Sequence, residues 1–163
     1  MGKQRLRLKK KKKEKSLDNL NQLENMKDKK GSVIISGASG GIGAATAINL
    51  AMKGYAIIIN YCNNESRAMD IAKKIEDFGG RSMPVKADIT IRSEVELMVS
   101  AAIKKFGSID AIVNNASALI SYKGFEEISW NDFQLHLNVQ IKGSFNICQA
   151  VMPHFIENKK GSI

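Results

Sequence analysis

Four short runs rich in apolar and β-branched residues punctuate the chain: Ser32–Ser36 (SVIIS), Tyr55–Asn60 (YAIIIN), Ser82–Ala87 (SMPVKA) and Ile109–Asn114 (IDAIVN). The first, second and fourth are apolar without alternation, the pattern of strands covered on both faces of a parallel sheet. Between the runs lie helical patterns of the length that a parallel crossover requires. The spacing predicts helices over Ile42–Lys53, stopping at Gly54; over Ser66–Phe78, stopping at Gly79-Gly80; and over Ser93–Phe106, stopping at Gly107. Each stop fits a left-handed glycine cap, and Ser93 with Glu96 has the spacing of a capping box. Pro84 removes a ladder donor from its strand, which predicts the sheet edge for that strand. A longer helical pattern runs from about Ser129 to Asn158, and Pro153 is expected to kink it or end it early. With right-handed crossovers, this order predicts an α/β, doubly wound parallel sheet of four strands and a following helix.

Composition changes this picture in one respect. The 163 residues are 44% hydrophobic, enough for the core of one domain, but the formal net charge of +9 is unevenly spread. Twelve of the 25 Lys and Arg fall in the first 30 residues, against four of the 16 Asp and Glu, so the remainder is nearly neutral. Residues 1–26 therefore read as a basic extension and residues 27–163 as the domain. The Lys9–Lys13 run could meet RNA, acidic membrane or acidic protein through counterion release. The extension has no aromatic residue to stack on bases, and its simplest reading is a solvated, disordered tail. It also lacks the apolar core of a secretory signal, and no apolar run reaches the ~18 residues of a membrane span. Cys62 and Cys148 have no paired spacing for a metal or a redox couple. The expectation is a cytoplasmic protein with free thiols, no metal and no membrane or nucleic-acid partner.

The candidate chemistry begins at Gly37-Ala38-Ser39-Gly40-Gly41-Ile42-Gly43, between the first strand and the first helix. Gly37 allows a tight turn, Gly41 lets backbone approach a diphosphate, and Gly43 lets the helix pack closely. Unpaired N–H groups and partial positive charge at the helix start would then hold phosphates. The strand before and the helix after favour a dinucleotide site over a bare glycine turn. No acid ends the second strand: Asn60-Tyr61-Cys62-Asn63-Asn64 precede Glu65. An acid there would mark NAD by accepting the ribose 2′-OH, so NADP is favoured over NAD, with Arg67 the nearest cation.

The Gly-x-x-x-Gly-Ile-Gly spacing resembles the hallmark of the short-chain dehydrogenase/reductase family, with Ser36 where that family has Thr. Three further matches follow in order. Asp88-Ile89 resembles the pair the family places beside adenine, although Asp88 could instead cap the backbone entering the next helix. Asn114-Asn115-Ala116 resembles the start of an Asn-Asn-Ala-Gly motif, with Ser117 replacing its glycine beside the nicotinamide ribose. The stretch SWNDFQLHLNVQIKGSF resembles the helix carrying the asparagine of a catalytic tetrad, here Asn138. The resemblance covers Lys27–Ile163 and is nearest in flavour to 3-oxoacyl-carrier-protein reductases.

That resemblance implies cofactor contacts from Gly37, Ser39, Gly40, Gly41, Ile42, Gly43, Asn60, Tyr61, Cys62, Asp88, Ile89, Asn115 and Ala116. It implies a carbonyl or alcohol substrate reduced or oxidised by hydride transfer, and a homo-oligomer. Many NADP-binding relatives carry a basic residue where this chain has Gly40. The family's catalytic Ser, Tyr and Lys have no counterpart here. Tyr55, Tyr61 and Tyr122 are followed four residues later by Ile59, Glu65 and Glu126, never by Lys. The expectation is the cofactor-binding front part of a reductase, inactive by itself, with a bare apolar edge on the fourth strand that favours self-association. A non-catalytic nucleotide sensor is the alternative, and a nucleic-acid binder working through the tail is a remoter one.

Overall fold

The structure, a computed structural model, describes residues 30–118 and 124–163. The residue 1–26 extension and Tyr122 lie outside these. Strands β1 (Ser32–Ile35), β2 (Ala56–Tyr61), β3 (Arg81–Lys86) and β4 (Ile109–Val113) form one parallel sheet in the order β3-β2-β1-β4. Ile34 of β1 stands level with Ile58 of β2 and Ile112 of β4. Every residue of β1 and β2 is buried, as the unbroken apolar runs require. Among the described residues strand β3 is the edge, and Pro84 sits opposite Ile59.

Both faces of the sheet are covered. Helices α1 (Gly41–Met52) and α2 (Glu65–Asp77) supply Ala47, Ala51, Ile71 and Ile75 to a core with Val33, Ile35, Ile57, Ile59 and Tyr61. The alternate residues Ile34 and Ile58 join Ile112 in a second core, with Val95 and Met98 of α3 (Arg92–Phe106). The long C-terminal helical segment completes it. That segment runs as α4 (Trp130–His136), a π-helical stretch (Leu137–Gly143) and α5 (Ser144–Asn158), with Ile147, Val151 and Phe155 buried. The small side chains Ala44, Ala47 and Ala51 on the buried side of α1 let that helix lie close to the sheet. The seven predicted strands and helices up to β4 all form, each within one residue of its predicted limits. Gly54, Gly79 and Gly107 stop their helices with φ of 90°, 82° and 84°.

Three expectations are corrected. Helix α3 starts at Arg92 with Ile91 as its N-cap, so Ser93 already lies inside the first turn and cannot cap it. Glu96 is held instead by Arg92 Nε at 2.6 Å. The capping box is at α4, where Ser129 Oγ accepts the Asp132 N–H and the Asp132 carboxylate accepts the Ser129 N–H, both at 3.2 Å. Of the two outcomes expected at Pro153, a kink or an early end, the early end does not occur, and the helix continues to Asn158. Pro153 and Gln149, whose carbonyl loses its N–H partner, are both exposed, so water can take the place of the missing bond. Finally, the outer edge of β4 is not bare. Ile112 donates its N–H to Ser162 O at 2.9 Å, and Ser162 returns its own to Asp110 O at 3.1 Å. Lys160 Nζ caps this contact on Asp110 Oδ2 at 2.9 Å. Beside it lies a cavity of about 700 Å³, lined by Val33, Leu50, Tyr55, Val113 and Ile163 among others.

Two substitutions should move stability in opposite directions. Ile58→Ala empties the centre of the sheet and should cost about 2–5 kcal/mol in urea unfolding. Ser82 Oγ is buried without a hydrogen-bond partner among the described residues, so Ser82→Ala should leave stability unchanged or raise it by up to about 1 kcal/mol.

Candidate functional site

The carboxyl ends of β1, β2 and β4 meet at the turn into α1. Ser36 is buried there, and its hydroxyl accepts the N–H groups of Asn115 (2.9 Å) and Ala116 (3.0 Å) while donating to Val113 O (3.3 Å). Asn115 replies through its side chain, Nδ2 donating to Ser36 O at 2.9 Å and Gly37 O at 3.2 Å. These bonds lock the two strand ends together across the point where the crossovers diverge.

The glycines answer to separate demands. Gly37 has φ +65°, and a Cβ there would stand 2.9 Å from Ala116 Cα, so both turn and contact exclude a side chain. At Gly43 a Cβ would stand 2.7 Å from Gly37 O and 2.5 Å from Asn115 Nδ2. Gly41 differs: its φ is +54°, yet a Cβ there would meet nothing within 4 Å. The space in front of it is open. Helix α1 has no side-chain cap on Gly40 and no acid in its first turn, so its leading N–H groups face that space with their partial positive charge uncompensated. Ile42, 81% exposed, adds an apolar surface at the same rim. This donor set, with an open approach and no competing carboxylate, fits a diphosphate.

Asn60, expected at the cofactor, is buried and occupied with the scaffold. Its Nδ2 donates to Ala87 O at 2.9 Å, its Oδ1 receives the Gly37 N–H at 3.4 Å, and its main-chain O receives Ala38 N–H at 2.9 Å. Tyr61 is buried against α1 and α2; burial, then the charge and hydrogen bond of the Glu65 carboxylate, push its phenol above the usual range. Cys62 faces solvent at the strand end. Partial desolvation and the carboxylates of Asp88 and Glu94 raise its thiol, against the opposing pull of Lys86.

Asp88 organises the turn into α3, Oδ1 accepting Thr90 N–H and Thr90 Oγ1 at 2.8 Å each, while its own N–H goes to Glu94 Oε2 at 2.7 Å. Ile89 is buried, and its carbonyl accepts Asn146 Nδ2 at 2.8 Å. A Cβ on Gly143 would stand 2.6 Å from Ile89 Cγ1, so the π-helical stretch is wedged against this turn. From the same stretch Gln140 Nε2 reaches Ser117 Oγ at 3.1 Å, bridging to the loop after β4. Asn138 lies within the stretch, half-buried, with no side-chain hydrogen bond among the described residues. Ser39 and Gly40 lie half-buried at the start of α1. The structure thus gathers the glycine loop, β2 end, Asp88 turn, Asn115-Ala116 and the Asn138 helix at one edge of the sheet. Sequence reasoning did not assign Asn146, Gln140 or Glu94. Asn146 sits in an apolar stretch between Phe145 and Ile147, and that polar interruption was its only signal.

A family model described as short chain dehydrogenase matches residues 31–163. The chain is similar to a Staphylococcus epidermidis protein named 3-oxoacyl-acyl-carrier-protein reductase FabG, 31% identical over 134 residues, covering 81% of this chain and 54% of that protein. The namesake from Staphylococcus aureus is also 31% identical, covering 81% of this chain and 53% of its own length. A solved Serratia marcescens short-chain dehydrogenase/reductase mutant superposes with a TM-score of 0.71 at 32% identity, covering 77% of this chain and 51% of that one. The chain spans about half the length of the curated relatives it matches.

The Ser36 hydroxyl should prove the keystone of this edge. Ser36→Ala strands two backbone N–H groups and should cost about 2–4 kcal/mol in chemical unfolding, whereas Ser36→Thr, which keeps the hydroxyl, should lose much less.

Proposed function

The chain belongs to the short-chain dehydrogenase family, and from that premise we propose that residues 31–163 are the cofactor-binding part of an NADP-dependent carbonyl or alcohol oxidoreductase. The observation that carries this reading is the first turn of α1: three leading amides without a side-chain cap, an open approach at Gly41, and no acid in that turn. Family membership implies a nicotinamide dinucleotide, which when bound supplies or accepts hydride at the substrate carbon.

The chain's own residues bind and orient. Amides of Gly41, Ile42 and Gly43 take the diphosphate, with Ser39 and Gly40 forming the loop beside it. Asp88 and Ile89 border the adenine, Asn115 and Ala116 the nicotinamide ribose, and Cys62 the outer wall at the end of β2. Asn60 and Tyr61 support that wall from beneath. The preference for NADP rests on the absence of a free acid at the end of β2. Glu65, the first acid after the strand, begins α2.

The substrate reading, a 3-oxoacyl group or a related ketone, is supported by the names of the relatives. Asn138, within the π-helical stretch, is assigned to holding a water in a proton relay. Since no tyrosine of the chain has lysine four residues on, we assign it cofactor binding and no turnover by itself. No described helix is long and apolar enough to cross a membrane, and both thiols are free; these support a cytoplasmic setting.

Titration of NADPH fluorescence with the full chain tests the reading, and saturable binding is expected. Gly41→Val places a side chain in the open approach and should weaken binding at least tenfold. Unaltered binding by a folded Gly41→Val variant would refute the placement of the diphosphate.

A further inference from the structure

The four strands run parallel, so their amino ends meet at one end of the sheet, opposite the glycine loop. We propose that this end is a docking surface for the phosphate backbone of a nucleic-acid duplex, bound without regard to base sequence. The strand order β3-β2-β1-β4 lays cations along it in a line. Arg81 opens β3, and the Arg81 guanidinium and Lys105 ammonium stand 5.9 and 5.3 Å from the centroid of the Phe106 ring. Lys53 ends α1 ahead of β2, and Lys30 precedes β1 with its Nζ 5.0 Å from the centroid of Tyr55. Lys160 continues the line on the outer side of β4. Backbone bonds join its centre: Arg81 Nη2 donates to Lys30 O at 2.6 Å and to Gly54 O at 3.2 Å, and Lys30 donates its N–H to Gly54 O at 3.3 Å. With neighbouring strands about 4.8 Å apart, the line from β3 to β4 is about 15 Å long.

Lysines at helix carboxyl ends are ordinary, because they meet the negative end of the dipole, and Lys53 and Lys105 are of that kind. Lys30 and Arg81 are not, since neither belongs to a helix. The acid within the line is Asp110, and Lys160 Nζ takes its Oδ2 at 2.9 Å. Acids at the flanking helix ends, Glu76 and Asp77 on α2 and Glu157 on α5, have Lys74 and Lys159 within three residues. Lys30 also joins the line to the basic extension: twelve of the chain's 25 Lys and Arg fall in residues 1–30, the Lys9–Lys13 run among them. A duplex carries one negative charge per about 1.7 Å of axis, so a cationic line of this length meets several phosphates and releases their counterions. Tyr55 and Phe106 are half-buried with cations over them, which leaves the backbone rather than the bases as the target. An anionic bilayer presents a plane, whereas these cations follow the row of strand ends.

Fluorescence anisotropy of a short labelled DNA duplex, titrated with the full chain, tests the proposal. Saturable binding is expected, indifferent to scrambling of the base sequence and falling steeply with salt. Lys30→Gln combined with Lys53→Gln should weaken it about fivefold or more and lower the slope of log affinity against log salt by about one to two. Lys30→Arg combined with Lys53→Arg should keep the affinity of the unmodified chain. Lys86→Gln combined with Lys142→Gln removes the same charge from outside the line and should change affinity by less than about twofold. Saturating NADPH should leave duplex binding unaltered, because the glycine loop lies at the other end of the sheet. Equal losses in the two Gln double variants, no loss in either, or competition by NADPH would overturn the proposal. Binding to phosphatidylserine vesicles without binding to the duplex would overturn it as well.

Discussion

Ser36 closes the central strand of the sheet at 1% exposure, and its hydroxyl holds three backbone groups of the segment that ends β4. Asn115, fixed by that hydroxyl, turns its amide back onto the carbonyls of Ser36 and Gly37. Within this knot there is no room for a side chain at Gly37 or Gly43, so the chain must turn sharply and send α1 out over the sheet. The direction of α1, and hence where its first amides point, follows from these bonds. On the other flank Asn60 does the same for β2 and β3, joining Gly37 N–H to the carbonyl of Ala87. The site is therefore rigid beneath and open above. Binding a preformed set of donors costs little reorganisation, which is what electrostatic recognition of phosphates requires.

The strands were legible because burial on both faces leaves unbroken Val and Ile runs, and the helices because glycines with positive φ stop them. Other features were hidden for physical reasons. Ser93 and Ser129 each precede an acid at capping-box spacing, and only the Asp88 turn, which engages Glu94 and lets α3 begin at Arg92, decides between them. The π-helical turn at Leu137–Gly143 has no sequence mark; Gly143, at its end, fits against Ile89, a contact distant in the chain. Asn60 ends a strand at this edge, and its bonds to Gly37 and Ala87, distant in the chain, have no mark in the sequence. Cys148, similarly, lies 3.7 Å from Asn114 Nδ2, a pairing no spacing rule would reveal.

The chain spans about half of its relatives, and its organisation matches a division of labour within such enzymes. Its glycine loop leaves the first amides of α1 uncapped and open at Gly41. The other members of a proton-transfer apparatus are not among the tyrosines here. Ser117 is bonded to Gln140 and ties the loop after β4 to the π-helical stretch.

Backbone amide NMR of the ¹⁵N-labelled chain, titrated with NADPH, tests the central claim most directly. The account predicts that the Gly41, Ile42 and Gly43 amides show the largest downfield displacements, saturating together as the diphosphate oxygens accept their protons. Saturable binding that left those three amides unmoved, or displaced a set elsewhere on the molecule, would contradict it.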